Sequence, residues 1–339
     1  MTLTDIPPAA RILQLATASW MSAAVSAVAN LGVADALADG PRSSDAIAAD
    51  VGAHPPTLYR LLRACVDFDL FVESGNRVFE LTAVGQALRT DSPISMRSFA
   101  RWVGEPADRH TWSDLSASIR TGRPAFDLAH GHTIWDHLAN NEYTATIFND
   151  AMTSASNQMI APAVAAYDFS QFRTVVDVGG GHGALLSEVL VANPTVRGIL
   201  YDQPDVTAGA EKTFQHAGVS ERVDIRSGSF FDSVPEGGDA YLLSNVIHDW
   251  DDDASTRILD NVRAVLPPEG RLLLVEVLMP EPGYHSPTVK LMDLNMLVLC
   301  GGKQRTEAEF GSLFDGAGLT LTDVVPGGFC SIVEGIVAR

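Results

Sequence analysis

The C-terminal half of the chain alternates short apolar runs with helical stretches, and this alternation restricts the fold more than any other feature. It predicts seven strands, at residues 174–178, 197–202, 223–227, 240–246, 271–278, 319–325 and 331–338. Helices such as 184–192 and 253–265 lie between them. Strands alternating with helices indicate a parallel, doubly wound sheet. Only a short Pro-Gly-Gly turn separates the last two strands, so they form a hairpin and the final strand runs antiparallel to its neighbour.

The N-terminal part is predicted to be mostly helical. The uncharged stretch 15–34 is too mildly apolar for a spanning helix, so we expect one buried helix over 11–31, placed at a subunit interface and ending at Gly32. A helix opening near Ser43, a helix beginning at Pro55, and strands at 71–73 and 78–81 follow. This order is typical of a winged helix. Acidic residues outnumber arginines in it, which favours dimerisation over DNA binding.

Composition excludes several classes of partner and site. The formal net charge is −19 without a cluster of Lys and Arg, so no nucleic-acid partner is expected. Cys65, Cys300 and Cys330 form no zinc pattern, so no metal site is expected, and all three are interpreted as small buried hydrophobic residues. The N-terminus has no basic signal segment, and we expect a cytoplasmic protein without a membrane partner.

A glycine-rich loop follows the first predicted strand of the sheet. The run VDVGGGHGA spans 176–184, and Asp202 ends the next strand, where a carboxylate can bind ribose hydroxyls. The glycines let the backbone turn tightly and approach a ligand. The run also satisfies the GxGxxA spacing of nicotinamide-binding folds, so that cofactor stays an alternative. Asp177 before the glycines and Gly183 within them favour a cofactor without a pyrophosphate.

His248 follows the fourth strand of the sheet, at the same edge as the glycine loop. An imidazole there is suited to accept a proton near neutral pH, although a structural histidine is the alternative. Glu276 lies in the neighbouring, otherwise apolar strand, where a carboxylate is costly without a partner. We expect Glu276 to orient His248 and stabilise the imidazolium, the alternative being a glutamate that reaches water from the strand end.

Five motifs occur in a fixed order: VDVGGGHG at 176–183, YDQP at 201–204, GSFF at 228–231, HDW at 248–250 and GGKQRT at 301–306. With them, nearly the whole chain resembles the class II O-methyltransferases, which include plant caffeic acid and flavonoid enzymes and bacterial anthracycline-type natural-product enzymes. The resemblance implies S-adenosylmethionine as cofactor and a Rossmann-like α/β catalytic domain at 166–339. It also implies a helical, winged-helix-like dimerisation domain at 1–100 and a helical connector at 101–165 that contributes to the substrate pocket.

The resemblance also implies site residues. The catalytic group comprises His248, Glu276 and Gln304. Cofactor contacts are expected at Ser156, Asp177, Gly179, Gly181, Asp202, Ser229, Phe230 and Ser244. The acceptor pocket is expected to include Phe148, Met152, Asp249, Asn295 and Met296. Two positions depart from the family pattern. Ser229 replaces the usual Asp, which predicts weaker adenine binding, and Gln304 replaces a frequent Glu, which keeps hydrogen bonding beside the base but removes a charge.

The sequence therefore predicts an S-adenosylmethionine-dependent O-methyltransferase that acts on a hydroxyl of a small aromatic secondary metabolite. His248 is the expected general base, and the protein is expected to be a homodimer through its N-terminal domain. An N-methyltransferase, or a cofactor-binding hydroxylase or decarboxylase, is the alternative on the same scaffold. A non-catalytic, ligand-sensing winged-helix regulator is the alternative from another class.

Overall fold

The computed structural model describes residues 6–338, apart from the side chains of 157–160. The chain divides into two compact units. The first unit comprises Met1–His110 and Leu138–Ala155, and the second comprises Thr111–His137 and Ser156–Arg339. The domain boundaries placed at residues 100 and 165 from the sequence stay predictions.

The first half of the chain is mostly helical. Its elements are α1 Pro8–Ala16, α2 Ala18–Leu31, α3 Val33–Ala36, β1 Arg42–Ser43, α4 Ser44–Asp50, α5 Pro55–Val66, β2 Phe71–Glu73, β3 Val78–Leu81, α6 Ala83–Gln86, α7 Arg97–Trp102, α8 Pro106–Ser113, α9 Leu115–Thr121, α10 Ala125–His130, α11 Ile134–Ala139 and α12 Glu142–Ala166. The predicted layout of two helices and a hairpin is confirmed at α4, α5, β2 and β3. The Ser43 hydroxyl caps α4 by accepting from the Ala46 amide at 3.2 Å, and β1 adds a third strand in the order β1-β3-β2.

The predicted helix over 11–31 is instead two helices, because the helix is interrupted at Thr17. The Thr17 hydroxyl donates to the Leu13 carbonyl oxygen at 2.8 Å. Gly32 ends α2 at φ 70°, as predicted. Within one chain α1 buries no residue and the first half of α2 is largely exposed, whereas Ser26, Val28 and Ala29 in the second half of α2 are buried, so the prediction of a buried helix holds only there. The large apolar side chains at their surface are Ile12, Leu13, Leu15, Trp20, Met21 and Leu31. By length and composition alone, Pro8–Leu31 is apolar enough to cross a bilayer, and 17% of its most apolar window is buried.

A seven-stranded sheet forms the centre of the second unit. Its strands are β4 Thr174–Val178, β5 Arg197–Asp202, β6 Val223–Ser227, β7 Ala240–Ser244, β8 Arg271–Glu276, β9 Leu319–Gly327 and β10 Cys330–Val337, in the order β6-β5-β4-β7-β8-β10-β9. The first five are parallel, and β10 runs antiparallel to both β8 and β9, so the predicted terminal hairpin is confirmed. The helices of this part are α13 Ala184–Ala192, α14 Pro204–Thr207, α15 Ala210–His216, α16 Asp252–Val265, α17 Pro287–Leu299 and α18 Glu307–Gly316.

Both faces of the sheet are buried at the central strands β4, β7 and β8, where alternate residues point to opposite sides. Val175 and Leu273 pack in one apolar cluster, whereas Val176 and Leu274 pack in the other. The predicted strand 240–246 ends two residues early, since Asn245 adopts a left-handed conformation at φ 53° and the chain turns out of the sheet. Asparagine tolerates this conformation better than most residues. The turn places the residues after β7 at the carboxyl end of the sheet.

Candidate active site

The glycine loop after β4 meets the ends of neighbouring strands. The Gly181 amide donates to Asp202 Oδ2 at 2.8 Å, and φ values of 70° at Gly179 and 60° at Gly181 require glycine. A Cβ on Gly179 would lie 2.8 Å from Val246 Cγ2 and 3.5 Å from Phe230 Cε1. The structure therefore brings together the glycine loop, the end of β5, the loop after β6 and the segment after β7.

Asp177 is fully buried beneath this loop. Neither carboxylate oxygen has a hydrogen-bond partner among the described residues. Burial, reinforced by the nearby Asp202, raises the pKa of Asp177 to about 7. A buried carboxylate is costly unless a donor or a cation compensates it. The site thus fits a cofactor that carries positive charge, as S-adenosylmethionine does in its sulfonium and ammonium groups.

The three serines of the predicted cofactor site lie on different elements. Ser229 follows β6, and its hydroxyl accepts from the Phe231 amide at 3.3 Å. Ser244 is the last residue of β7, and its hydroxyl accepts from Asn245 Nδ2 at 3.4 Å. Ser156 is half-buried on α12, in the part of that helix that belongs to the second unit.

His248 and Glu276 form a buried pair at the carboxyl end of the sheet. His248 lies on a 3-10 turn, Ile247–Asp249, directly after β7, and Glu276 is the last residue of β8. Nδ1 of His248 donates to Glu276 Oε2 at 2.7 Å, because a carboxylate can only accept. Glu276 Oε1 also accepts from the amides of Ile247 at 2.9 Å and His248 at 3.3 Å. The expected contact is therefore present, and Glu276, fully buried, does not reach water.

These partners determine the protonation of the imidazole. Burial lowers the pKa of His248, but the charge and hydrogen bond of Glu276, with a contribution from Asp249, raise that pKa to about 9. The Glu276 bond orients the ring with Nδ1 occupied, so Nε2 is the nitrogen that can exchange a proton with a ligand. A base–carboxylate pair of this kind can accept a proton and stabilise the resulting imidazolium.

Arg305 is a residue of this site to which the sequence assigned no role. Its guanidinium is fully buried and donates to the carbonyl oxygens of Ile247 and Trp250, each at 2.9 Å. It also pairs with Asp252 at 2.8 Å. Arg305 thereby holds both ends of the turn that carries His248. The available sequence signal was the position of this arginine within the GGKQRT motif at 301–306.

Asp249 lies on the Nε2 side of the imidazole. Its Oδ1 is 3.5 Å from His248 Nε2 and 3.8 Å from the sulfur of Cys300. Burial raises the pKa of Asp249 to about 6, with Glu276 adding to the effect and His248 opposing it. Asn295 and Met296 are on α17, and the Met296 carbonyl oxygen accepts from the Cys300 amide at 3.0 Å. The interpretation of Cys300 as a small buried hydrophobic residue missed this contact, since a cysteine outside any spacing pattern carries no signal.

Gln304 does not fulfil the expected hydrogen bonding beside the base. The side chain is 3% exposed, and neither amide atom has a hydrogen-bond partner among the described residues. Its backbone amide donates to Asp293 Oδ1 at 2.9 Å. Phe148 and Met152 lie on the part of α12 that belongs to the first unit, where the Phe148 ring meets Trp102 edge-on with centroids 5.0 Å apart.

Family models match both parts of the chain. Residues 13–91 match the O-methyltransferase dimerisation domain, and residues 112–320 match the O-methyltransferase domain. The chain is 40% identical to the phenazine O-methyltransferase PhzM of Lysobacter antibioticus, over 95% of this chain and 94% of that protein. It is 38% identical to an 8-amino-8-demethylriboflavin N,N-dimethyltransferase of Streptomyces davaonensis, over 89% of this chain and 87% of that protein.

A solved structure of similar fold contains S-adenosylmethionine together with an aromatic acid. The O-methyltransferase NcsB1 from neocarzinostatin biosynthesis, in complex with S-adenosylmethionine and 2-hydroxy-5-methyl naphthoic acid, superposes with a TM-score of 0.81. It is 35% identical, and the match covers 94% of this chain and 96% of that one. With the two domain matches, this likeness shows that the chain belongs to the S-adenosylmethionine-dependent O-methyltransferase family.

Proposed function

We propose that this enzyme methylates a hydroxyl group of a small aromatic molecule, with His248 as general base. The observation that carries the proposal is the buried Glu276–His248 pair, in which Nδ1 is bonded at 2.7 Å and Nε2 faces away from Glu276. A phenol is a poor nucleophile while protonated, so a positioned imidazole that removes its proton accelerates the attack.

In the proposed reaction, the bound cofactor supplies an electrophilic methyl group. His248 Nε2 accepts the hydroxyl proton as the oxygen attacks that methyl, and Glu276 stabilises the imidazolium through Nδ1. Arg305 fixes the turn on which His248 lies, so that the ring does not have to be ordered during the reaction. The proton leaves His248 to solvent after the methylated product departs.

The residues around the glycine loop are proposed to hold the cofactor. Asp177 would provide negative charge for its cationic part, and Gly179 and Gly181 would let the backbone approach it. Asp202 has an acceptor lone pair left on each oxygen after its backbone bonds, which suits ribose hydroxyls. Ser229 and Phe230 would flank the adenine, with Ser156 and Ser244 as further contacts.

The test combines His248→Ala with a panel of aromatic acceptors: a hydroxynaphthoate, a hydroxyphenazine and an aminophenol. Turnover in the variant should fall by about 10²–10⁴-fold. Binding of S-adenosylhomocysteine, measured by calorimetry, should stay unchanged. Full activity in the variant would exclude His248 as the base. Product mass separates methylation from hydroxylation or decarboxylation, and absence of any product with every acceptor would favour a binding protein.

Methylation of an aromatic amine is the second candidate function. The observation that favours it is the 38% identity of this chain to an N,N-dimethyltransferase. A neutral amine attacks through its lone pair and loses its proton afterwards, so it has less need of a base than a hydroxyl has. The aminophenol decides between the two, because nuclear magnetic resonance distinguishes an O-methyl from an N-methyl product. O-methylation that depends on His248 would support the proposal, and N-methylation that survives His248→Ala would support the alternative.

We also propose a homodimer formed through the exposed apolar face of α1 and α2. Trp20 is 73% exposed and Ile12 66% exposed, which is unfavourable for several neighbouring large side chains in water. The matched dimerisation domain, 13–91, includes most of this face. Trp20→Glu should convert a dimer into a monomer in light scattering. Ile119→Glu, at an exposed apolar residue outside that domain, is the control and should leave the dimer intact.

A further inference from the structure

The thiol of Cys300 and His248, the base of the proposed reaction, contact the same carboxylate oxygen of Asp249. Cys300 caps the C-terminal end of α17, and its Sγ is 3.4 Å from the Met296 carbonyl oxygen and 3.8 Å from Asp249 Oδ1. The same Asp249 oxygen is 3.5 Å from His248 Nε2. One carboxylate oxygen therefore lies between a thiol and the nitrogen that must accept the hydroxyl proton.

The thiol retains its proton in this environment. Burial raises the pKa of Cys300 well above its usual value, and the charge of Asp249 raises it further. Asp127 on α10 acts in the same direction. Cys300 is thus a donor and adds no charge of its own. The other charged groups that act on the imidazole are Glu276 on β8, which stabilises the imidazolium, and Arg305, which opposes it.

The distance between Asp249 and His248 is longer than that of a closed ion pair. A charge-assisted N–H···O bond measures about 2.7–2.9 Å, whereas Oδ1 and Nε2 are 3.5 Å apart. An acceptor hydroxyl must come within about 2.6–3.2 Å of Nε2. A carboxylate that closed on Nε2 would occupy that place, and the acceptor would have to displace it.

We propose that Cys300 is a positioning residue: its thiol holds the Asp249 carboxylate back from Nε2 of His248, so that the nitrogen stays open to the acceptor hydroxyl. The proposal rests on the assignment of His248 as the base. The thiol is a weak donor with a single proton and two acceptors, the neutral Met296 carbonyl oxygen at 3.4 Å and the Asp249 carboxylate at 3.8 Å. The carboxylate is the stronger acceptor because it is an anion, and the bond opposes only the movement of one side chain. Without it, the imidazolium is the remaining donor to Asp249 Oδ1 among the described residues, and the pair closes.

The first test does not depend on turnover. The imidazole of His248 is titrated by nuclear magnetic resonance in ligand-free enzyme, with the signal assigned from a His248→Asn variant. Cys300→Ala should raise the pKa of His248 by about half a unit or more, because a closer carboxylate stabilises the imidazolium. Cys300→Ser keeps a donor and should leave that pKa near the wild-type value. Cys65→Ala, at a fully buried cysteine in the first unit, is the matched control.

The second test uses the phenol of the panel that the wild type methylates fastest. In Cys300→Ala the KM for this phenol should rise about 2- to 10-fold, the range expected from one hydrogen bond, with kcat changed less. The acid limb of kcat/KM should move to higher pH, and Cys300→Ser should restore both. A merely structural role would lower stability without moving the limb. An unchanged or lowered pKa of His248 in Cys300→Ala would overturn the proposal, whereas loss of the base assignment itself would appear in His248→Ala.

Discussion

Glu276→Gln is the substitution that most directly tests how the base works, because the amide has the shape of the carboxylate but not its charge. Glu276 accepts three hydrogen bonds while fully buried: one from His248 Nδ1 at 2.7 Å, and two from the amides of Ile247 and His248 at 2.9 and 3.3 Å. A glutamine has one oxygen, so it cannot serve both groups of donors.

The backbone amides decide which way the glutamine turns. If its oxygen accepted from Nδ1, its NH₂ group would face two buried backbone donors, each left unsatisfied at a cost of about 1–3 kcal/mol. The oxygen should therefore stay with the amides, and the NH₂ group should donate to Nδ1. His248 would then carry its proton on Nε2 and could not accept one there. The corresponding Asp-to-Asn substitution in a serine protease triad, which also forces the wrong tautomer, lowers kcat by about 10⁴-fold.

We expect Glu276→Gln to lower kcat/KM by about 10³–10⁴-fold, with S-adenosylhomocysteine affinity unchanged by calorimetry.

The thermal stability of the wild type and of Glu276→Gln gives a second readout. The pKa of His248 is raised in the folded enzyme, from 6.5 to about 9. The stability that the pair contributes is therefore complete below pH 6.5 and is lost as the pH rises through about 9. The Tm of the wild type should decline over this window more than that of the variant. Glu269→Gln, at an exposed residue just before β8, is the control. Glu276→Gln activity within a factor of about ten of the wild type would refute the tautomer argument.

Three further predictions concern the surroundings of this pair. Gln304→Met should raise the free energy of unfolding by about 1–3 kcal/mol in urea denaturation, because it removes a buried amide without partners among the described residues; a loss of stability would contradict this. Gly302→Ala should lower kcat/KM by about 10²-fold, since its Cβ would lie 1.9 Å from the His248 carbonyl oxygen; Gly311→Ala, with no atom within 4 Å of the added Cβ, should keep full activity. Ser229→Asp should tighten S-adenosylhomocysteine binding about tenfold by calorimetry, as expected for a charge-assisted bond, and unchanged affinity would exclude the adenine assignment.

The sheet and the His248–Glu276 contact could be predicted because they depend on patterns that few structures satisfy. Apolar strands alternating with helices fix a parallel sheet, and strands that are neighbours in such a sheet end at the same edge. A glutamate in the apolar strand β8 needs a partner, and His248 of the HDW motif follows the end of the neighbouring strand β7. Local preference also placed the Gly32 stop and the Ser43 cap correctly.

Other features depended on contacts that sequence spacing does not encode. The interruption at Thr17 coincides with a hydroxyl that bonds to the Leu13 carbonyl oxygen within a continuous helical pattern. The Gln304 side chain has no hydrogen-bond partner among the described residues, although its residue type suggested a hydrogen-bonding role. Cys300 and Asp249 are far apart in sequence and meet only because α17 ends beside the turn after β7.

The raised pKa of His248 has a consequence for the choice of acceptor. At neutral pH the imidazole of the free enzyme is mostly protonated, because its pKa is about 9. A neutral imidazole with a bound phenol and an imidazolium with a bound phenolate contain the same number of protons, so both lead to the same transition state.

For an ordinary phenol, whose pKa is near 10, the complex of enzyme and phenol contains this number of protons mostly between about pH 9 and 10. A phenol acidified by a ring carbonyl or ring nitrogen ionises at lower pH and can bind as the phenolate to the imidazolium that is already present. Such acidic phenols should therefore give the highest kcat/KM at pH 7, and the optimum pH should fall with the phenol pKa across a matched series. An optimum independent of the phenol pKa would mean that proton transfer to His248 does not precede or accompany the methyl transfer.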